Sequence, residues 1–140
     1  MADTLDPMQV EVITPDAVIY SDTGVEMVAA RALDGDFAIM KGHLPIAAAL
    51  KVCPVRIKKG EDEVQIAVFG GFLEMNKNKV TVFAPLAERA ESIDAARAEA
   101  ARKRAQNRLD HHTPDIDMER AKAALQRALV RLQVCGKEKI

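Results

Sequence analysis

The sequence predicts an α+β chain: an N-terminal antiparallel β-sandwich over residues 1–86, followed by a C-terminal antiparallel two-helix hairpin over residues 87–140. Three observations lead there. Between Met8 and Phe83, short alternating segments recur about every 8–12 residues, each bounded by Gly, Pro, Asn or Asp. Beyond Ser92 the texture changes to Ala, Leu, Arg and Lys, and one phrase is written twice. Ile93-Asp94-Ala95-Ala96-Arg97-Ala98 returns as Ile116-Asp117-Met118-Glu119-Arg120-Ala121, and neither run it opens contains Gly or Pro. The charge divides at the same place. Residues 1–92 hold nine Lys and Arg against fourteen Asp and Glu, whereas residues 93–140 hold eleven against seven. A basic tail on an acidic body points to an anionic counterpart for the tail.

Taken in order, Met8, Val10 and Val12 alternate with Gln9, Glu11 and Ile13, the pattern of a strand with one buried face. Thr14-Pro15-Asp16 is a turn, because Pro fixes its own φ and offers no ladder donor. Ala17 to Ser21 reads as the second strand, Asp22-Thr23-Gly24 as a turn, and Val25 to Leu33 as the third strand. Asp34-Gly35-Asp36 turns into the short apolar strand Phe37 to Met40, and Gly42-His43-Leu44-Pro45 makes a second corner. Ile46 to Val52 is apolar and fits a strand or a buried helical turn. Pro54 to Lys59 alternates, Gly60 to Glu63 is an acidic hairpin turn, and Val64 to Phe69 returns. Gly70-Gly71 permits a bend or bulge. Asn76-Lys77-Asn78 is a hairpin tip between Phe72–Met75 and Val80–Phe83. No helical segment separates these strands, which excludes a doubly wound parallel sheet.

After Ala84-Pro85-Leu86 comes the hairpin, with Ser92 or Asp94 as the cap of its first helix. Pro114, in His111-His112-Thr113-Pro114-Asp115, ends the first run and restarts the second. Helices of roughly 18 and roughly 20 residues are expected. Ala121, Leu125, Ala128, Leu132 and Cys135 repeat at coiled-coil spacing, and Ala98, Ala101 and Ala105 answer them. An alanine seam buries little area, so the hairpin leans on the sandwich or detaches from it.

The totals exclude several classes. Aromatics are 4% and Trp is absent, so the core rests on Val, Ile, Leu, Ala and Met. Cys53 and Cys135 stand far apart without metal-ligand spacing, as free thiols in a reducing compartment do. The polar, acidic start is unlike a signal peptide, and no apolar run approaches the length of a membrane span, so a soluble chain is expected. No nucleophile, metal-protease or phosphate-loop motif occurs, so the chain is not expected to be an enzyme by itself. Asp34 and Asp36 read as turn residues, His43 as structural or interface-facing, and His111 and His112 as a corner instead of metal ligands. The run Arg102-Lys103-Arg104 with Arg108 lacks interleaved aromatics, which argues against nucleic acid.

One cluster stands out. Asp94 in the first turn suits the helix dipole and pairs with Arg97 at i+3. In an antiparallel hairpin, Arg127 and Arg131 of the second helix come near Arg97 and Asp94. Several guanidiniums beside one carboxylate suit an anion such as a nucleotide phosphate.

In its ordered motifs the chain resembles the epsilon subunit family of the F-type ATP synthase. The resemblance is carried by Thr14-Pro15, by Asp34-Gly35-Asp36-Phe37-Ala38-Ile39 with Gly42-His43-Leu44-Pro45, and by Gly70-Gly71-Phe72-Leu73-Glu74. Asn78-Lys79-Val80-Thr81-Val82 and the Ala87-Glu88 run into the hairpin complete it. Met40-Lys41 and Cys53-Pro54 depart from the family pattern in loop detail. The resemblance implies a ten-stranded sandwich, a seat on the rotor stalk against the gamma subunit and the membrane c-ring, and peripheral association with the cytoplasmic face of the cell membrane. It implies that the hairpin inhibits ATP hydrolysis when extended toward the alpha and beta subunits, and that ATP, a regulatory ligand and not a required cofactor, holds it folded. The implied nucleotide-binding residues are Glu88, Ile93, Asp94, Arg97, Ala98, Arg104, Arg127 and Arg131, with no catalytic or metal site. The competing expectation is a free-standing β-sandwich interaction module that dimerises through its hairpin.

Overall fold

The computed structural model describes residues 7–136. It contains eight strands: β1 (Met8–Ile13), β2 (Val18–Val25), β3 (Met27–Ala32), β4 (Gly35–Met40), β5 (Ile46–Lys59), β6 (Asp62–Asn76), β7 (Lys79–Phe83) and β8 (Ala87–Arg89). The 3-10 turn Ala90–Ser92 precedes helices α1 (Ala95–Asp110) and α2 (Met118–Val134). The chain forms two compact units, Met1–Arg89 and Ala90–Ile140.

In the first unit the strand order is β2-β1-β7-β6-β5-β3-β4, with β8 on β6. Two long strands make the sandwich. β5 and β6 stay in register from Ile46–Met75 to Lys59–Asp62. Along β5 the core positions are Ile46 and Leu50, then Cys53, Val55 and Ile57; along β6 they are Val64, Ile66 and Val68, then Leu73 and Met75. The inward parity therefore flips near Lys51 and at Gly70-Gly71. Since side chains alternate strictly along a strand, a flip means that the strand pair folds over and its halves line opposite layers. The neighbours agree: Phe72 to Asn76 pair with β7, whereas Ile66 to Val68 pair with β8.

Gly71 makes the bend. Its φ is +105°, and a Cβ there would sit 2.0 Å from the Phe83 carbonyl oxygen, so the backbone of β7 occupies the space of a side chain. The core is aliphatic, as the composition requires: Val10, Val12, Val28, Ile39, Val55, Ile66, Leu73, Val80 and Val82 are fully inaccessible.

Several expectations change. The sandwich is mixed and not purely antiparallel, because β1 and β7 pair in parallel from Gln9–Lys79 to Ile13–Phe83. Among the described residues eight strands are present where ten are expected, because Ile46–Val52 with Pro54–Lys59, and Val64–Phe69 with Phe72–Met75, each form one continuous strand. The expected turn at Asp22-Thr23-Gly24 lies inside β2, whose ladder to β1 slips between Met8 and Val10. Asp22 is held there by the Thr23 amide at 2.8 Å and by Lys59 of β5 at 3.2 Å. The chain passes from β2 to β3 at Glu26, whose amide bonds Lys58. The sandwich also runs past Leu86, because Ala87, Glu88 and Arg89 pair with Val68, Ala67 and Ile66. At the expected tip, Lys77 and Asn78 both have positive φ, 50° and 61°, the geometry of a two-residue type I′ hairpin.

In the second unit α1 has 16 residues and α2 has 17, so their axes are about 24 and about 26 Å long. Their connector, residues 111–117, is folded by a bond from the Ile116 amide to the Thr113 carbonyl, 3.1 Å, and by a Thr113–Asp115 side-chain bond. A seven-residue connector folded by that turn is too compact to run back along a helix, so the packed helices are antiparallel. Ala98, Ala105, Ala121, Ala128 and Leu132 are buried, as the seam predicts, whereas Leu125 and Cys135 are half-buried.

Candidate functional site

The two copies of the repeated phrase fold alike. Asp94 caps α1 with φ −83° and ψ 102°, and its Oδ1 accepts from the Arg97 amide at 3.0 Å. Asp117 caps α2 with φ −80° and ψ 102°, and its Oδ1 accepts from the Arg120 amide at 3.1 Å. Short acidic side chains do this because an extended residue before the helix can reach an amide of the first turn that has no intrahelical partner. Of the two caps considered, Asp94 is the one used.

This sharpens the expected Asp94–Arg97 pairing. The carboxylate meets the main-chain N–H of Arg97, and among the described residues no ion pair joins it to the guanidinium. Arg97 stays exposed, as do Arg104 on the same helix and Arg127 on α2, while Arg131 is half-buried. Ile93 is half-buried and its amide bonds the Ala90 carbonyl at 3.2 Å; Ala98 is buried at the seam. Antiparallel packing sets the C-terminal half of α2, with Arg127 and Arg131, beside the head of α1. Arg104 stands about 10.5 Å further along α1 than Arg97, nearer the opposite end of the hairpin. Glu88 belongs to the other unit, in β8 opposite Ala67. The acid on α1 that does hold an arginine is Glu99, bonded to Arg102 Nε at 3.1 Å; that bond and the Arg102 charge hold its carboxyl below its ordinary range.

The sandwich carries two features that sequence reasoning passed over. One is an apolar row on an outer face. Phe72 pairs with Phe83, Phe83 with Ile13, and Ile13 with Val18, across four adjacent strands. Their inward neighbours Leu73, Val82 and Val12 are fully buried, so the row looks outward, with Phe72 63% and Val18 55% exposed. The signal was available as apolar residues at the outward parity of each strand. The other is the end of β8, where the Arg89 guanidinium lies 5.6 Å from the centre of the Tyr20 ring. The Tyr20 hydroxyl donates to Asp22 at 3.3 Å; burial, and then the Asp22 charge, raise its pKa.

Among the described residues no group of His, Cys, Asp and Glu could hold a metal ion. His43 and the two corner histidines are exposed, and burial pushes the Cys53 thiol up. Among the described residues no helix is long and apolar enough to cross a membrane.

Two family models match. Residues 7–90 match the beta-sandwich domain of the ATP synthase delta/epsilon chain, and residues 91–136 match its long alpha-helix domain. The ATP synthase epsilon chain of Bacillus velezensis is 49% identical over 129 residues, 92% of this chain and 97% of that one. That of Bacillus subtilis is 50% identical over 130 residues, 93% and 98%. That of Symbiobacterium thermophilum is 41% identical over 129 residues, 92% and 93%. Among solved structures, a chain of the Euglena gracilis mitochondrial ATP synthase shares the fold with a TM-score of 0.72 at 18% identity, covering 86% of this chain and 76% of that one.

Proposed function

That the chain belongs to the ATP synthase delta/epsilon chain family is the premise from which we propose its role: a regulatory subunit of the rotor stalk, whose hairpin restrains ATP hydrolysis and is held folded by ATP. As an epsilon chain it is a non-catalytic subunit. The sandwich supplies the seat. A row such as Phe72-Phe83-Ile13-Val18, left apolar on an outer face, suits burial against another subunit, for which the gamma subunit is our reading. The c-ring is the second neighbour we assign, with the whole lying peripherally on the cytoplasmic face of the membrane through the complex.

The hairpin supplies the switch. Ala98, Ala105, Ala121 and Ala128 form most of its seam, and alanines bury little apolar area, so alternative placements of the helices can differ by only a few kcal/mol. A ligand shifts such an equilibrium by its differential affinity for the two states. The observation that carries the regulatory reading is the head of α1. Because Asp94 is engaged with the main chain, the guanidinium of Arg97 remains available, on the helix packed against the one bearing Arg127 and Arg131. Guanidinium forks match phosphate oxygens, which suits the polyphosphate of ATP. In the extended state the same arginines would meet carboxylates of the alpha and beta subunits.

The test is hydrolysis by the assembled enzyme carrying a chain ended after Ser92, which keeps β8 and removes both helices. Faster ATP hydrolysis with assembly intact is expected. Hydrolysis at the rate of the intact complex would remove the inhibitory role.

A further inference from the structure

The repeat extends well beyond its heads. Shifted by 23 positions, residues 93–109 fall on residues 116–132 with Ile, Asp, Arg, Ala, Ala, Ala, Arg, Ala, Arg and Leu coinciding. Arg97, Arg104 and Arg108 on α1 thereby correspond to Arg120, Arg127 and Arg131 on α2. The structure keeps the correspondence at the alanine positions and departs from it on the other face, where Val130 is 0% exposed but its equivalent Asn107 is exposed. Ala98 and Ala121 are each 3% exposed, and Ala105 and Ala128 are each 1% exposed. The caps match in φ, ψ and hydrogen-bond length.

Matching burial in an antiparallel pair means an approximate two-fold axis through the seam. A register that sets alanine against alanine places Ala98 opposite Ala128 and Ala105 opposite Ala121. Arg97 then lies level with the middle of the Arg127–Arg131 turn, and Arg120 lies level with the middle of the Arg104–Arg108 turn. On each helix the three arginines fall within about 20° of one line, about a quarter-turn from the seam. An axis that exchanges antiparallel helices is normal to their common plane and keeps each face a face. Both arginine rows therefore look out of the same side of the hairpin. Arg97, Arg104, Arg108, Arg120 and Arg127 are exposed, and no Asp or Glu of either helix falls on that line.

We propose that the head of α2 forms a second oligophosphate site, made by Arg120 of α2 with Arg104 and Arg108 of α1, equivalent to the site at the head of α1. Among the described residues none of these three guanidiniums has an ion-pair partner. Arg104 and Arg108 are one helical turn apart, about 6 Å, comparable with the length of a triphosphate chain. Three forked donors gathered on one face, with no carboxylate among them, are relieved of mutual repulsion by such an anion. Asp117 leaves them free for it, because its carboxylate is spent on the Arg120 amide. The second site rests on the reading of the α1 head as a nucleotide site only through the symmetry, and the two heads report separately.

The test is an amide chemical-shift titration of the full chain with inorganic tripolyphosphate. Saturable shifts are expected at both Arg97–Ala98 and Arg120–Ala121. Arg120→Ala is expected to weaken the α2-head response at least about tenfold and leave the α1 head unchanged, with Arg108→Ala acting in the same direction. Shifts at the α1 head alone, or an α2-head response indifferent to Arg120→Ala and Arg108→Ala, would overturn the second site. Shifts at the α2 head alone would uphold it and remove the α1 site. Chemical shifts of the sandwich amides check that each variant is folded.

Discussion

Replacing Gly71 by Ala tests whether the sandwich depends on the fold-over of β6. The residue has φ +105°, and an added Cβ would stand 2.0 Å from the Phe83 oxygen and 2.9 Å from the Ala84 Cα. Both obstacles are backbone, so no rotamer change relieves them. Strand β7 would have to move by more than an ångström, breaking the Phe72–Phe83 and Ile13–Phe83 pairs that flank it. Positive-φ strain contributes about 1–3 kcal/mol, and two lost ladder bonds contribute about 1 kcal/mol each. The expected loss is therefore about 3–5 kcal/mol, a large part of a domain stability of about 5–15 kcal/mol. With a urea slope of about 2 kcal/mol/M, the midpoint drops by about 2 M. Gly70→Ala is the control. Its φ of +85° is also unfavourable, but the nearest atom to its Cβ is the Leu50 oxygen at 3.9 Å, an ordinary contact. Only the strain of about 1–2 kcal/mol applies there. Urea denaturation of the two variants that gave equal midpoints would refute the account, because it would show that β7 does not obstruct position 71.

The caps separate structure from ligand binding: Asp94→Asn keeps the cap and Asp94→Ala loses about 1 kcal/mol of it, so amide exchange in the first turn of α1 should quicken about fivefold in the Ala variant alone. Asp117→Ala should do the same to α2, since the geometry is shared, and equal exchange in all variants would deny the capping role. Phe72→Ser with Phe83→Ser should weaken binding to the gamma subunit at least about tenfold, while the isolated chain stays folded with a loss of about 2–4 kcal/mol. An unaltered pull-down would move the docking face elsewhere. Glu63 is held below its ordinary carboxyl range chiefly by its bond to Arg56, so that pair stabilises the fold above the unfolded value near about pH 4.3 and stops doing so as pH falls through the depressed folded value. Because both side chains are partly exposed, Glu63→Gln should cost less than about 1 kcal/mol at pH 7, and the difference should shrink as pH falls through the depressed folded value.

How far the sequence could be read followed from the range of the forces involved. Asp94 was legible as a cap because capping is local: the acceptor, the amide and the helix start lie within four residues. The alanine seam was legible for the same reason, since its period is a property of one helix. Period-2 alternation reports only one face at a time, however. When the parity flipped at Gly70-Gly71, β6 looked like two strands, although its register with β5 continues unbroken. Nothing local announces that the parallel partner of β1 is β7, or that Asp22 stays in a strand because Lys59 of β5 reaches its carboxylate. Those facts depend on tertiary partners. The arginine rows fall between the two cases. Their spacing is local and visible, yet their meaning depends on the seam that sets the two helices antiparallel. A single row of three arginines reads as a solvated face. In the two-fold pairing proposed above, the arginine of one head comes level with a pair from the other helix, and the guanidiniums become a cluster only after the hairpin closes.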